Sequence, residues 1–230
     1  MPRKSIARGV KFTRKLLAWY ARAARDLPWR RTRDPYRVLV SEVMLQQTQV
    51  SRVEQYYPRF LERFPDLETL ASAPVRAVRE RWDGLGYYAR ASNLHALARV
   101  VSRDLEGKLP ENPGDLEKLP GIGRYTAGAV ACFAYEKPVP AVDTNVSRVI
   151  RRAFIGWTAG NGQRAVWNLA GSLVPRHGKR AWKFNQAIME LGAVICTARK
   201  PKCPECPVRS ECRTGRRSRP QRPRKQRQQP

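Results

Sequence analysis

The nonapeptide Leu119-Pro-Gly-Ile-Gly-Arg-Tyr-Thr-Ala127 lies between two segments with helical periodicity and decides the fold class of this chain. Pro120 ends the first helix, because a proline disfavours helical geometry in the residue before it. The two glycines allow a tight turn and a close approach of the backbone. The N–H groups that open the next helix then point outward, toward an anion. The pattern favours a helix-hairpin-helix that binds a DNA phosphate over an ordinary turn between helices.

Helical signals continue on both sides of the hairpin, and the alternation typical of strands is nearly absent. Asp34 and Pro35 supply an N-cap and a proline at the first helical position, and buried apolar positions then recur through Thr48. Asp66 is placed to cap a short helix. Apolar spacing predicts further helices over residues 6–24, 50–64, 75–82, 89–105, 124–135, 144–154, 164–174 and 180–195. The fold class is therefore all-α.

The charge balance indicates a polyanionic partner. The 230 residues contain 45 Lys and Arg against 19 Asp and Glu, a net charge of +26. Residues 1–25 and residues 213–230 each carry eight basic residues and no acid, which leaves +10 for residues 26–212. Nucleic acid is the expected partner, and an anionic membrane surface is the weaker alternative. Apolar residues make up 42% of the chain, enough to build a core, so global disorder is excluded.

The two basic ends differ in pattern. Residues 1–29 contain an amphipathic helix with a basic outer face, whereas residues 213–230 have almost no apolar residue and several prolines. The second pattern predicts a disordered basic tail, serving either solubility or contact with phosphates. A transmembrane helix is not indicated, because no apolar run of ~18 residues occurs. A signal peptide is not indicated either, because no apolar stretch with a small-residue cleavage site follows the basic start. We expect an intracellular, cytoplasmic protein, associated with the nucleoid if the source is prokaryotic.

Four of the five cysteines form a C-x6-C-x2-C-x5-C pattern, Cys196, Cys203, Cys206 and Cys212. Four thiolates within 17 residues suit either tetrahedral zinc or a [4Fe–4S] cluster. A zinc ribbon usually has two C-x2-C knuckles and this segment has one, so the spacing favours the cluster. Cys132 lies in an apolar run and is predicted to be an ordinary buried cysteine.

Two acids stand out because their neighbours in sequence are apolar, Glu42 and Asp143. A carboxyl group in an apolar pocket can act as a general acid, and a second carboxylate can stabilise a developing cation. Cleavage of a glycosidic bond needs such a pair, since its transition state resembles an oxocarbenium ion. The alternatives are a surface position for Glu42 and an N-cap role for Asp143, and capping is compatible with catalysis.

Together the hairpin, Val142-Asp143 and the cysteine loop resemble the helix-hairpin-helix DNA glycosylase superfamily, the group of endonuclease III. Within it, Ser41-Glu-Val-Met-Leu-Gln-Gln-Thr-Gln-Val50 and Gly84-Leu-Gly-Tyr-Tyr-Ala-Arg-Ala91 are similar to the MutY adenine glycosylases. Leu27-Pro-Trp-Arg30 and Phe184-Asn-Gln-Ala-Ile-Met-Glu-Leu-Gly-Ala-Val-Ile-Cys196 share this similarity. The resemblance covers residues 12–212.

The resemblance implies roles for individual residues. Glu42 would protonate the target base and later help to activate water, and Asp143 would stabilise the oxocarbenium ion. Tyr125 occupies the position of the Schiff-base lysine of bifunctional relatives, so strong lyase activity is not expected. The remaining implied roles are contacts with DNA, by wedge residues near the lesion and by the hairpin: Gln46, Gln47, Gln49 and Tyr88 for the wedge, and Gly121, Gly123 and Arg124 for phosphate. The resemblance also implies a [4Fe–4S] cluster and a monovalent cation at the hairpin.

The expected reaction is hydrolysis of the N-glycosidic bond of an adenine paired with G or 8-oxoguanine, which leaves an abasic site in duplex DNA. A thymine or uracil glycosylase acting on T:G and U:G mismatches is the first alternative, and a catalytically weak protein that binds damaged DNA is the second. MutY proteins usually carry a C-terminal domain that reads 8-oxoguanine. No such domain is expected in the 18 residues after Cys212.

The resemblance also implies an arrangement of two helical subdomains. Residues 30–140 are expected to form a six-helix subdomain that contains the hairpin. Residues 141–212 would form the cluster subdomain, with the basic helix of residues 1–29 packed on it and residues 213–230 as the tail. A monomer in complex with mismatched or damaged duplex DNA is expected, without a membrane partner.

Overall fold

The computed structural model describes residues 3–156 and 162–217, and those residues contain helices and no strands. Three 3-10 turns, at Pro28–Arg30, Cys203–Glu205 and Arg209–Glu211, and a π-helix at Arg151–Ile155 accompany the α-helices. Twelve α-helices lie in the described ranges: α1 Arg3–Ala23, α2 Pro35–Leu45, α3 Val50–Arg63, α4 Leu67–Ser72, α5 Val75–Trp82, α6 Ala89–Asp104, α7 Pro113–Leu116, α8 Arg124–Phe133, α9 Thr144–Ile150, α10 Gln163–Leu173, α11 Gly178–Val194 and α12 Arg213–Arg217. None of them, over the described ranges, is long and apolar enough to span a membrane.

Side-chain caps begin the helices where the sequence predicts them. The Asp34 carboxylate accepts a hydrogen bond from the Arg37 amide at 2.7 Å, at the start of α2. The Asp66 carboxylate accepts one from the Thr69 amide at 2.7 Å, at the start of α4. Each cap satisfies an amide that the helix itself leaves without a partner and contributes about 1 kcal/mol. Both capping predictions are confirmed.

The chain divides into two compact units. The hairpin unit consists of Ala24–Val142 and Val174–Asn185. Its core is built around α2, in which Leu39, Val40 and Met44 are completely buried, and around aromatic side chains of α3 and α5. The Phe60 ring lies edge-on to the Trp82 ring, with 5.7 Å between the ring centroids. Burial of such side chains is the main source of stability for a helical unit of this kind.

The cysteine unit consists of the described residues of Met1–Ala23, Asp143–Leu173 and Gln186–Pro230. Helix α1 buries Phe12 and Leu16 completely, and the Phe12 ring meets the Phe154 ring edge-on at 5.0 Å. The Lys15 ammonium forms an ion pair of 2.9 Å with Glu211, in the turn between the last two cysteines of the four. The amphipathic pattern of the N-terminal segment is therefore satisfied by packing within this unit.

The structure differs from the sequence-based arrangement in three places. The hairpin unit contains the seven helices α2 to α8 and the first part of α11, where six helices were expected. The one-turn helix Pro113–Leu116, capped by Asn112, is among those that the sequence did not predict. It also includes Val174–Asn185, which the sequence places with the cluster subdomain. The segment expected to be disordered from residue 213 begins with helix α12, since the Gly215 amide donates to the Cys212 sulfur at 3.2 Å. The rest of that segment, residues 218–230, lies outside the described residues.

Candidate active site

The hairpin between α7 and α8 requires glycine at position 121. Gly121 has a φ of +75°, in the left-handed region that favours glycine, and a Cβ there would lie 2.6 Å from the Asn93 Cβ. Gly123 is the extended N-cap residue of α8, and Arg124 follows it as the exposed first helical residue. The amides of the first turn of α8 have no acceptor one turn earlier in the helix. This end of α8 is therefore suited to an anion such as a phosphate.

The same hairpin places Tyr125 against Glu42. Glu42 lies in α2 with 3% of its surface exposed, so the alternative of a surface position is wrong. The Tyr125 hydroxyl donates a hydrogen bond to Glu42 Oε2 at 2.6 Å, between residues 83 positions apart in sequence. A short bond from a phenol to a carboxyl oxygen fixes the orientation of that group. The structure thus brings together two of the three residues that the sequence assigns to catalysis.

The segment that leads to Asp143 is held close to α8. A Cβ at Gly128 would lie 2.5 Å from the Pro140 carbonyl oxygen, so only glycine permits this approach. The Asn185 amide group donates to the Val139 carbonyl at 2.9 Å and accepts from the Ala141 amide at 3.1 Å. It also lies 3.2 Å from the Cys132 sulfur, which is buried as predicted. Sequence reasoning missed Gly128 and Asn185 as residues that position this segment.

Asp143 is the N-cap of α9. Its Oδ1 accepts from the Val146 amide at 2.6 Å, and its Oδ2 accepts from the Asn145 side-chain amide at 2.9 Å. Burial raises the pKa of the Asp143 carboxyl, and these hydrogen bonds and the Arg148 guanidinium oppose that rise. Asp143 is therefore a partly buried carboxyl held by donors, which suits it to face a developing positive charge.

A chain of hydrogen bonds links Asp143 to the first cysteine of the four. Asn145 donates to Asp143, and Arg148 Nη2 donates to Asn145 Oδ1 at 2.7 Å. Arg148 also donates to the Cys196 carbonyl at 2.8 Å and to the Gly192 carbonyl at 2.7 Å. A Cβ at Gly192 would lie 2.7 Å from the Asn145 Cβ, so the chain depends on that glycine. No local pattern in the sequence predicts this hydrogen-bond chain.

All four predicted cysteines line one cavity in the cysteine unit. Two 3-10 turns, Cys203–Glu205 and Arg209–Glu211, bring the last three cysteines to it, and Cys196 arrives from the end of α11. The rest of the lining includes Ile195 and Pro201. A cavity lined by four sulfurs and apolar carbon fits a [4Fe–4S] cluster.

The surroundings of the thiols carry positive charge. Burial raises the pKa of the Cys206 thiol to about 12, and burial also raises the pKa of Cys212. Arg152 Nη1 lies 3.5 Å from the Cys196 sulfur and donates to the Thr197 carbonyl at 2.7 Å. Buried thiols of this kind become thiolates only when cations offset the loss of hydration, as iron ions do in a cluster.

The four predicted wedge residues lie in two loops of the hairpin unit. Gln46 is half-buried and donates to the Thr126 hydroxyl at 3.2 Å. Gln47 is exposed with a φ of +56°, and Gln49 is the exposed N-cap residue of α3. Tyr88 is 45% exposed, and its hydroxyl donates to Asp83 Oδ1 at 2.5 Å. Three of the four side chains are therefore accessible to a ligand, and Gln46 is engaged with α8.

The comparisons with known proteins agree with this geometry. Residues 40–175 match the model of the HhH-GPD superfamily base excision DNA repair protein, and residues 196–212 match the iron–sulfur binding domain of endonuclease III. An adenine DNA glycosylase of Mycolicibacterium smegmatis is 46% identical over 86% of this chain and 68% of its own length. One from Rattus norvegicus is 46% identical over 92% of this chain.

The chain spans 43% of the length of the rat relative, so it corresponds to part of that protein. Among solved structures, a thermostable thymine-DNA glycosylase superposes with a TM-score of 0.85 and 35% identity, covering 92% of this chain and 98% of that one. The all-α fold, the hairpin, and the cysteine loop with its [4Fe–4S] motif are thus shared with solved and curated relatives. The chain belongs to the HhH-GPD superfamily of base excision DNA repair proteins and carries the iron–sulfur binding domain of endonuclease III.

Proposed function

We propose that this chain is a monofunctional DNA glycosylase that hydrolyses the N-glycosidic bond of an adenine mispaired with G or 8-oxoguanine. The observation that carries the proposal is the buried Glu42 carboxyl, oriented by Tyr125 in the first turn of α8. Its relatives at 46% identity are adenine DNA glycosylases. The product is an abasic site within duplex DNA.

Glu42 acts as the general acid in this proposal. When the bond between C1′ and the base nitrogen breaks, the bonding electrons go to the base, and a proton from Glu42 neutralises the charge that develops there. The buried position in α2 excludes water from the carboxyl, which strengthens its interaction with the base. The Tyr125 hydroxyl holds one carboxyl oxygen, so the group meets the base in a fixed orientation.

Asp143 stabilises the other product of that bond cleavage. The sugar becomes an oxocarbenium ion, and an ionised carboxylate lowers its energy in a site of low dielectric constant. The Val146 amide, the Asn145 side chain and the Arg148 guanidinium favour the ionised form against burial. A water molecule then adds to C1′ and loses a proton to the Glu42 carboxylate, which restores the acid.

Tyr125 accounts for the expected lack of strand cleavage. A lyase forms a Schiff base between a lysine amine and C1′, and a phenol cannot form that bond. Position 125 instead orients the general acid, because the Tyr125 hydroxyl donates a hydrogen bond to Glu42. Hydrolysis without β-elimination is therefore the proposed outcome.

In this proposal the hairpin binds the DNA backbone, and the cysteine loop holds a cluster. The first turn of α8 offers amides to a phosphate, with Arg124 next to them, and a monovalent cation at the hairpin stays a prediction. A [4Fe–4S] cluster would be held by Cys196, Cys203, Cys206 and Cys212, and its iron–thiolate bonds would stabilise the loop. Purified protein that is brown, with absorbance near 400 nm, would support the cluster, whereas a colourless zinc protein would contradict it.

A duplex panel tests the choice of base. The protein is incubated with A:G, A:8-oxoG, T:G and U:G duplexes, and alkali then cleaves the strand at any abasic site. We expect cleavage at the adenine strand of the first two duplexes, and none before alkali is added. Cleavage confined to T:G and U:G would overturn the proposal in favour of a thymine or uracil glycosylase, which the superposition on a thymine-DNA glycosylase makes the second candidate.

A protein that binds damaged DNA without catalysis would leave every duplex of the panel uncut while retaining affinity for mismatches. Binding to the same four duplexes, measured by fluorescence anisotropy, separates this outcome from a failure to bind. An excess of enzyme over duplex removes product release from the measurement, so slow turnover is not mistaken for inactivity.

A further inference from the structure

Arg90 is a charged residue that is buried in the hairpin unit. It lies in the first turn of α6 and only 8% of its surface is exposed. Removing a guanidinium from water is unfavourable unless its N–H groups find acceptors. Its acceptors are therefore informative about what the side chain does, and they all lie in the hairpin unit.

The first set of acceptors lies at the end of α2. Arg90 Nη1 donates to the Val43 carbonyl at 2.9 Å, to the Met44 carbonyl at 2.8 Å and to the Gln46 carbonyl at 2.5 Å. Carbonyls in the last turn of a helix have no amide one turn later to accept from. A cation there is also favoured by the helix dipole. Arg90 thus caps α2 and holds the start of the loop 46–49.

The second set of acceptors joins that loop to another. Arg90 Nη2 donates to the Thr48 hydroxyl at 3.0 Å, to the Leu85 carbonyl at 3.2 Å and to the Gly86 carbonyl at 3.1 Å. Leu85 and Gly86 belong to the loop 83–88, which precedes α6. One guanidinium is therefore bonded to both loops that contain the predicted wedge residues.

Both loops hold backbone conformations that need such support. Gln47 has a φ of +56° and Tyr87 a φ of +50°, and left-handed backbone is unfavourable for residues other than glycine. Tyr87 is 59% exposed, and its ring centroid lies 5.5 Å from the Arg90 Cζ. The Trp82 ring lies on the guanidinium at 5.4 Å. The exposed side chains of Gln47 and Tyr87 thus project from backbone segments whose carbonyls accept hydrogen bonds from the buried Arg90.

We propose that Arg90 is a positioning residue that joins loops 46–49 and 83–88 into one rigid wedge for the duplex. The inference rests on the proposed function and on the prediction, from the resemblance, that the two loops displace a base from the stack. Arg90 itself contacts backbone carbonyls and Thr48, and therefore supports extrusion of the base rather than cleavage of the bond. Lysine cannot replace it, because an ammonium lacks the planar fork that reaches two sets of acceptors.

The test compares Arg90→Gln and Arg90→Lys with wild type and with Arg99→Gln, an exposed arginine of the same helix. 2-Aminopurine next to the mismatched adenine reports unstacking by its fluorescence, measured in stopped flow with saturating protein. Both Arg90 variants should lose most of the fluorescence rise and excise adenine from a duplex about tenfold more slowly, because the unsupported wedge no longer offsets lost stacking. Arg99→Gln should match wild type in both measurements.

A second substrate separates positioning from general damage to the fold. The same mismatch is placed within a short unpaired bubble, where little stacking opposes extrusion, and the deficit of the Arg90 variants should shrink to about threefold or less. An equal deficit on both substrates, or a normal fluorescence rise in Arg90→Lys, would overturn the proposal.

Two further measurements keep the result interpretable. Thr48→Val removes one acceptor without burying a new charge, and should give a smaller deficit of the same kind even if the Arg90 variants fold poorly; full activity and unstacking in that variant would count against the proposal. The fluorescence rise does not depend on which base is removed. Wild-type protein that unstacks the mismatch but leaves adenine in place would therefore contradict the proposed function and not the role of Arg90.

Discussion

The two carboxyl groups predicted to be catalytic are held in different ways. Glu42 projects from the middle of a buried helix, and the Tyr125 hydroxyl, 83 residues away in sequence, fixes its orientation. Asp143 is fixed by its own helix, as the N-cap of α9, and by Asn145 two residues later. A further hydrogen-bond chain ties Asp143 through Arg148 to the cysteine loop. One group is thus oriented by a residue far along the chain, and the other by a local cap supported from farther away.

The difference shows how two carboxyl groups can be given separate tasks. A carboxyl buried within a helix can gain and lose a proton, as a general acid does. A carboxyl that accepts several hydrogen bonds stays ionised more readily, as a group that faces a cation should. Single substitutions of the two carboxyl groups and of the residues that hold them test, through the excision rate, whether these different surroundings contribute to the reaction.

Glu42→Gln should have the largest effect. The amide keeps the shape of the side chain and can still accept from Tyr125, but it cannot supply the proton, so single-turnover excision of adenine should fall about 10³-fold. Binding to a mismatched duplex should change by no more than about twofold, because no charged contact with phosphate is lost. Glu54→Gln, in an exposed position of α3, is the matched control. Residual activity within about tenfold of wild type would remove Glu42 from the role of acid.

Asp143→Asn should rank second, with a loss of about 10²-fold in excision, since an amide cannot stabilise the oxocarbenium ion. In the wild-type protein, burial raises the pKa of the Asp143 carboxyl. Above about pH 4, ionisation of this group therefore lowers the free energy of unfolding. Asparagine caps a helix as well as aspartate does. The variant should therefore have a Tm at pH 7 equal to or above that of wild type, and the gain should disappear as the pH falls below about 4.

The same raised pKa has a consequence for wild-type activity. Because Asp143 must be ionised to act, excision should decline as the pH falls through its pKa, at a higher pH than for an ordinary aspartate. A pH profile of the single-turnover rate measures this. A profile that stays flat down to about pH 4 would contradict the role given to Asp143.

Arg148→Gln should come third and tests the distant support of Asp143. It removes the donors to Asn145, to the Gly192 carbonyl and to the Cys196 carbonyl, so both excision and retention of iron should fall, the first about tenfold. Iron content and absorbance near 400 nm are measured with the rate. Arg164→Gln, an exposed arginine of α10, is the control. A normal rate in a variant that loses iron would show that the hydrogen-bond chain does not serve Asp143.

Tyr125→Phe should have the smallest effect. The ring keeps its packing and only the hydroxyl that orients Glu42 is lost, so excision should slow about three- to tenfold. Strand cleavage without alkali should stay absent, because phenylalanine offers no amine. A loss as large as that of Glu42→Gln would mean that the phenol takes part in proton transfer and does more than orient the acid.

Local patterns in the sequence predicted the parts of the molecule that depend on local physics. Asp34 and Asp66 precede helical segments and act as their caps, and Gly121 has the left-handed backbone expected in a tight turn. The cysteine spacing predicted the loop whose four sulfurs line one cavity. Each of these features needs only residues that are close in the chain.

The supports of the site could not be predicted in that way. In the sequence, Arg90 and Arg148 look like ordinary charges on helical faces. The distant acceptors of Arg90 lie 42–47 residues away in sequence, and those of Arg148 lie 44–48 residues away. Asn185 holds a segment 44–46 residues earlier in the chain. Only the tertiary packing brings such partners together, so a single sequence without an alignment carries no signal for them.

The close contact at Gly128 sets a limit on the variation that this chain tolerates. Glycine to alanine is among the mildest changes a genome can make, and a scale of amino-acid similarity would score it as harmless. Here the added methyl group would meet the Pro140 carbonyl oxygen at 2.5 Å, three residues before Asp143. The codon for Gly128, a residue with no side chain to take part in catalysis, should be as intolerant of inherited change as the codons of the two acids.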